Sequence, residues 1–262
     1  MKNNKMWLDN MCRIMFLIWT LVLGSFLNVC IYRIPRGESI VYPPSHCPNC
    51  KTRIKPYDLI PVLSFIILKG RCRACHEKIP LRYPIVEILS LLCAISAYSK
   101  FGFSVRTWIA YFIGFVLIYI SFVDVDTLEI SNLSILILFV LSSLLYFLDK
   151  GFSLINIKHL ILGGIYSSSL VLLIYLSSRG RAMGFGDVLL LFAGGVGFDF
   201  GKAVVVNFLS FVIGAIYGVL LLLLKRKTVK AQIPFAPFIA MSIYLTLIFG
   251  DHIVKWYLGL FL

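Results

Sequence analysis

The 262-residue chain is 60% hydrophobic and only 14% charged, with a mean hydropathy of +0.91 and a formal net charge of +13. That is more apolar side chain than one water-soluble core holds, and it is arranged in repeated runs near twenty residues, so the composition excludes a soluble globular domain and selects the membrane class. The excess of 25 Lys+Arg over 12 Asp+Glu would suggest a nucleic-acid partner in a soluble protein; here no basic and aromatic module stands apart from the apolar runs, so the charge is read as topology, with membrane lipid as the partner and no nucleic acid.

Eight hydrophobic segments are predicted, at about 12–32, 85–101, 107–124, 132–149, 158–178, 187–199, 203–224 and 234–261. The expected fold is therefore all-α, a polytopic membrane helix bundle of about eight transmembrane segments. The first run has no small-residue cleavage site and is expected to stay as an anchor rather than to be removed as a signal peptide. The sixth is short for a span of roughly 20 residues and is expected to be buried against neighbours or to begin in a water-filled cavity.

If 33–84 faces the cytoplasm, the loops on that side hold ten, zero, two and four Lys+Arg, against nine for the remainder. The bias, strongest at Lys225-Arg226-Lys227, predicts an integral membrane protein with 33–84 on the cytoplasmic side. The three regions expected are a first segment (1–32), a cytoplasmic loop domain (33–84) and a helical membrane domain (85–262).

Between segments one and two, Cys47-Pro48-Asn49-Cys50 and Cys72-Arg73-Ala74-Cys75 are separated by twenty-one residues. A Cys-x-x-Cys knuckle aims two thiolates at one ion, and two knuckles complete a tetrahedral zinc site with no open position, hence structural. The alternatives are two disulfides or reduced, unliganded thiols; a cytoplasmic loop disfavours the first, and Lys51, Arg53, Arg71 and Arg73 favour thiolates. His46 and His76 flank the pairs as substitute ligands or plain loop histidines. Cys12, Cys30 and Cys93 lie in apolar runs and are expected to be small buried hydrophobes.

Two acidic sites fall on the same predicted face, Asp124 and Asp126 at the end of segment three and Asp187 at the start of segment six, within Met183-Gly184-Phe185-Gly186-Asp187. Ionisable groups at a membrane segment are costly unless used. Two neighbouring carboxylates do not both ionise cheaply, so one keeps a proton while the other polarises a water, which suits peptide hydrolysis without a metal. Gly184 and Gly186 are expected to open backbone angles closed to other residues and to let an extended substrate lie close. The competing reading makes Asp187 a helix N-cap, the glycines a surface turn, and Asp124 and Asp126 boundary charges.

These motifs, with Gly24-Ser25-Phe26-Leu27-Asn28-Val29, Arg33-Ile34-Pro35, Ile60-Pro61-Val62-Leu63-Ser64, Gly70-Arg71-Cys72, Arg82-Tyr83-Pro84 and Ile233-Pro234-Phe235, resemble those of the type IV prepilin peptidases over nearly the whole chain. The resemblance implies a membrane aspartic protease that cuts the basic leader from prepilins or pilin-like proteins. It implies Asp124 and Asp187 as the catalytic pair, with Asp126 in reserve. It also implies N-methylation of the new amino terminus from S-adenosylmethionine, or else a peptidase alone with the zinc loop as a clamp.

The chain departs from the family pattern at Ile130-Ser131-Asn132, Leu189, Leu59 and Ala236. No glycine-rich turn marks a methyl-donor pocket, and Arg82, Tyr83 and Glu87 are read as pocket residues or boundary anchors. From another class, a non-enzymatic membrane scaffold or transporter would use Asp124 and Asp187 as ion-pathway groups.

Overall fold

Apolar runs bounded by glycine, proline and short polar residues dictate where the helices start and stop. The computed structural model describes residues 2–224 and 233–259, apart from the side chains of residues 2–10 and 258. Its helices are α1 (Lys2–Arg33), α2 (Leu63–Ile67), α3 (Arg82–Phe101), α4 (Val105–Thr127), α5 (Asn132–Lys150), α6 (Leu154–Ser178), α7 (Phe185–Gly195), α8 (Phe200–Leu223) and α9 (Ala236–Leu258), with short 3₁₀ turns at Ile34–Arg36 and Pro56–Leu59. Among the described residues there is no strand, only two isolated bridges. The expectation of an all-α fold holds.

Seven of these helices are long and apolar enough to cross a membrane. The sixth predicted segment is α7, whose 11 residues rise roughly 16 Å and fall short of a hydrocarbon layer of about 30 Å. The cluster Lys225-Arg226-Lys227 and the end of the last predicted segment lie outside the described residues. Outward-facing apolar side chains fit a lipid surround: on α1, Met11, Ile14, Met15, Ile18, Trp19 and Val22 recur at helical spacing and are exposed.

The chain divides into two compact units, Met1–Tyr111 and Phe112–Leu262, with the division inside α4. In the first, α1 packs along α3. Gly24 makes this possible, because a Cβ there would lie 2.9 Å from Ser90 Cβ and 3.3 Å from the Glu87 backbone. Polar groups on this interface satisfy one another: Ser90 Oγ and the Tyr111 hydroxyl both donate to the Thr20 carbonyl, at 3.1 and 3.2 Å.

The loop between α1 and α3 folds as two hairpins of one design. The Cys47 amide donates to Thr52 O and the Cys72 amide to Glu77 O; Lys51 N donates to Cys47 O and His76 N to Cys72 O; Ile54 N donates to Ser45 O and Ile79 N to Gly70 O. Lys51 and His76 both take left-handed backbone angles (φ 58 and 59). Asp58, in the 3₁₀ turn between the hairpins, binds Arg73 of the second through two parallel contacts, Nε to Oδ2 at 2.9 Å and a terminal nitrogen to Oδ1 at 2.6 Å.

In the second unit α7 is enclosed by α5, α6 and α9. Small residues bring the helices together, as expected where hydrocarbon offers no hydrophobic drive between them. Gly163 on α6 lies against the backbone of Gly197 and Phe198, Gly164 against Phe192, and Gly194 against Ile243. The Gly197 amide donates to the Leu160 carbonyl of α6 at 3.1 Å. The next helix opens at Asp199, whose carboxylate accepts the Lys202 amide at 2.8 Å as an N-cap.

Candidate functional site

Asp124 lies in the last turn of α4 and is 6% exposed. Its Oδ2 accepts the backbone amide of Ala236, the first residue of α9, at 3.1 Å. Asp126, two residues on and therefore round the helix, is exposed. Burial and placement thus separate the two acids that the sequence left as alternatives.

Asp187 is half-buried in the first turn of α7. The N-cap is Gly184, and Asp187 Oδ2 reaches back to accept the Gly184 amide at 3.3 Å. The capping interpretation therefore holds for one hydrogen bond, with Asp187 three residues inside the helix instead of at its cap. Asp187 lies outside the seven spans; burial first, and then the charge of Asp124, pushes its carboxyl up to about 6. The two acids are within electrostatic reach of each other at the ends of α4 and α7.

The conformational role expected of the glycines is corrected. Gly184 has φ −78 and ψ 150, extended backbone open to any residue, and Gly186 is helical. What these positions provide is space. A Cβ on Gly186 would lie 3.3 Å from Ile130 Cδ1, in the connection after Asp124, so its absence lets that connection close onto α7. At Gly184 a Cβ would point toward Asp187 Oδ2 at 3.6 Å, and without one that side of the carboxylate is uncovered.

The sequence marked Ile130 and Ala236 only as departures from the family pattern and gave neither the Ile130 side chain nor the Ala236 amide a part in the acid site. A signal for the second was present, since prolines at 234 and 237 leave few backbone donors at the start of α9, and those donors have no partner within the helix.

In the first unit, the Sγ atoms of Cys47, Cys50, Cys72 and Cys75 all lie within 4.8 Å of one another and form the one group of metal-ligating side chains among the described residues. Cys47 Sγ and Cys75 Sγ are 3.9 Å apart, close to the edge of about 3.8 Å for a tetrahedron with 2.3 Å metal–sulfur bonds. Hydrogen bonds from Thr52 pull the Cys50 thiol down to about 6. At Cys75 the Glu77 amide pulls the same way, but burial and the three other sulfurs outweigh it and push that thiol up to about 11. Four sulfurs so close do not all ionise unless a cation sits among them, so the donor set fits a metal ion. His46 turns instead to the Pro44 carbonyl, at 3.0 Å.

Seven apolar helices of spanning length, two acids at one site and a four-cysteine cluster define an integral membrane protein with a metal-binding loop. Residues 18–101 match the family model of the bacterial peptidase A24 N-terminal domain, and residues 111–219 that of the type IV leader peptidase family. The chain belongs to the type IV leader peptidase family and is a membrane peptidase, which sets aside the scaffold and transporter reading.

Among its relatives, the prepilin leader peptidase/N-methyltransferase of Bacillus subtilis is 33% identical over 92% of this chain and 96% of its own length. Proteins of the same description from Aeromonas hydrophila and Legionella pneumophila are 31% and 30% identical, over 94% and 92% of this chain and 93% of their own lengths. No solved structure matches the chain.

Proposed function

We propose that this chain removes the basic leader from type IV prepilins or pilin-like proteins by aspartic-protease chemistry at Asp124 and Asp187, and then methylates the exposed amino terminus. The observation that carries the cut is the pair itself, a buried carboxylate whose charge acts on a second, half-buried one. Such a pair holds one proton between two acids. Asp124 Oδ2 accepts the Ala236 amide, and Asp187, pushed up to about 6, is the acid that keeps the proton. Asp124 then draws a proton from a water as that water attacks the scissile carbonyl carbon, and Asp187 gives its proton to the carbonyl oxygen or the departing amine. Gly184 and Gly186 position the substrate, Gly184 by leaving one side of the Asp187 carboxylate open to an extended peptide.

The prepilin's apolar helix lies among the membrane helices of residues 85–262, and its basic leader stays on the cytoplasmic side with the 33–84 loop. Zinc is the metal that suits four thiolates without an open position, and its role is to fasten that loop. The methylation half rests on the description of the relatives; its donor would be S-adenosylmethionine, which would supply an activated methyl group.

Cleavage of a purified prepilin by the wild type and by Asp124→Asn and Asp187→Asn tests the cut. Each variant should lose about 10²- to 10⁴-fold in rate while keeping its metal content. Leader removal by both variants at near the wild-type rate would refute the assignment. Mass spectrometry of the wild-type product tests methylation, since a cut but unmethylated amino terminus leaves a peptidase alone.

A further inference from the structure

The cutting chemistry makes no use of α2, which nonetheless carries two unlike faces. Phe65 turns inward, with its ring 3.0 Å from where a Cβ on Gly70 would stand. Together with Ser64 and Leu68 it lines a cavity of about 670 Å³ that Glu87 and the two hairpins also wall. The other face is bare. Leu63, Ile66 and Ile67 recur at helical spacing and are 57%, 63% and 70% exposed, and Leu59 and Ile60 prolong the same apolar edge. Five large apolar side chains so close together are a costly surface to leave in water.

Depth says what covers that edge. The span α3 has 20 residues, which rise about 30 Å, the whole thickness of a hydrocarbon layer. Its first residues therefore lie at the edge of that layer, and Glu87, in its second turn, lies about 7 Å along the span. The Glu87 carboxylate accepts the Val62 amide at 2.7 Å, and Val62 is the N-cap of α2. One hydrogen bond thus ties α2 to a point inside the span instead of above it.

The surroundings at this level suit lipid. Ile85, Ile88 and Leu92 are exposed at helical spacing on α3, as expected of a face turned to acyl chains. Tyr32 near the end of α1 and Tyr83 near the start of α3 are part-exposed aromatics where two spans meet the boundary. Lys69 and Arg71, just past α2, are exposed and give headgroup phosphates a basic partner.

We propose that α2 is an interfacial helix whose partner is the phospholipid bilayer. Leu63, Ile66 and Ile67 embed at the boundary of headgroups and acyl chains, so the bilayer itself holds down the loop that carries the cysteine hairpins.

Photoactivatable phosphatidylcholines test this on the full-length, metal-loaded wild type, in phosphatidylcholine nanodiscs holding one copy each. One lipid carries a diazirine at the glycerol end of an acyl chain, the other at the chain terminus. By mass spectrometry the shallow probe should label residues 59–68 at least about fivefold more than the deep probe, since an interfacial helix sits only about 5–10 Å into the boundary. Residues 85–92, labelled in the same sample, are the positive control.

No label at 59–68 beside label at 85–92 overturns the proposal, as does equal labelling of 59–68 by the two probes. In Ile66→Asn/Ile67→Asn, whose metal content reports that the loop is folded, the shallow label at 59–68 should fall by a similar factor while that at 85–92 is kept; an unchanged yield overturns the proposal. Loss of the wild-type label in nanodiscs holding two copies, or on adding a prepilin, assigns the edge to that protein and overturns the assignment to lipid.

Discussion

Gly163→Ala is the substitution whose effect is best fixed by the packing of α7. The added Cβ would stand 2.5 Å from the Phe198 carbonyl oxygen, 2.7 Å from the Phe198 nitrogen and 2.8 Å from the Gly197 nitrogen. All three are backbone atoms, so no side chain can turn aside, and reaching ordinary contact requires α6 and the turn after α7 to part by about 1 Å. Overpacking of this kind costs about 1–3 kcal/mol. Parting also weakens the hydrogen bond from Gly197 N to Leu160 O, worth about 1 kcal/mol. Against this, alanine gains about 1 kcal/mol over glycine in a helix.

The balance is a loss of about 1–3 kcal/mol, read as a lower melting temperature of the purified protein. Because α7 carries Asp187, prepilin cutting should fall in the folded fraction too. Gly218→Ala is the control, since a Cβ there meets nothing within 4 Å. Equal melting temperatures and cutting rates for Gly163→Ala and Gly218→Ala would refute the reasoning.

Cys50→Ser should reduce bound zinc well below one per chain by metal analysis, because three sulfurs leave the tetrahedron incomplete; an unchanged metal content would contradict the four-thiolate site. Raising the pH removes the proton that Asp187, pushed up to about 6, holds for the pair. The profile of kcat/KM should therefore fall on the alkaline side with a limb beginning above about pH 6, and a flat profile from pH 5 to 9 would contradict a shared-proton pair. Val62 sits at φ 61 and ψ −48 in a three-residue turn closed by Leu63 N to Pro61 O at 2.6 Å. This arrangement is strained for a β-branched residue. Val62→Gly keeps the amide that Glu87 accepts and should stabilise the protein by about 1 kcal/mol in thermal unfolding, whereas a lower melting temperature would show that no strain is stored there.

The parts legible in the sequence were those set by local spacing. Cys47-x-x-Cys50 and Cys72-x-x-Cys75 announce a knuckle each, and the structure brings their sulfurs together. Counting segments placed Asp124 and Asp187 on one face, although one of those segments proved too short to cross. The glycines of 184–186 were misread, because a glycine needed for space beside Ile130 looks the same in sequence as one needed for a left-handed turn. The amide of Ala236 on Asp124 joins residues 112 positions apart, and no local pattern encodes such a contact. Gly163-Gly164 inside an apolar run was the overlooked hint that α6 meets another helix closely.

The twin hairpins have a consequence in terms of mass action. Each contributes half of the ligand set, and each is held by only a few backbone hydrogen bonds of its own, so neither retains an ion alone. Whatever stability the loop gains from its metal scales with the logarithm of free metal over the dissociation constant. The same two hairpins form a wall of the cavity that Glu87 lines. Metal supply and the shape of that cavity are therefore thermodynamically linked, so a cell short of the ion would be expected to lose what the cavity does before it loses the acid pair in the second unit.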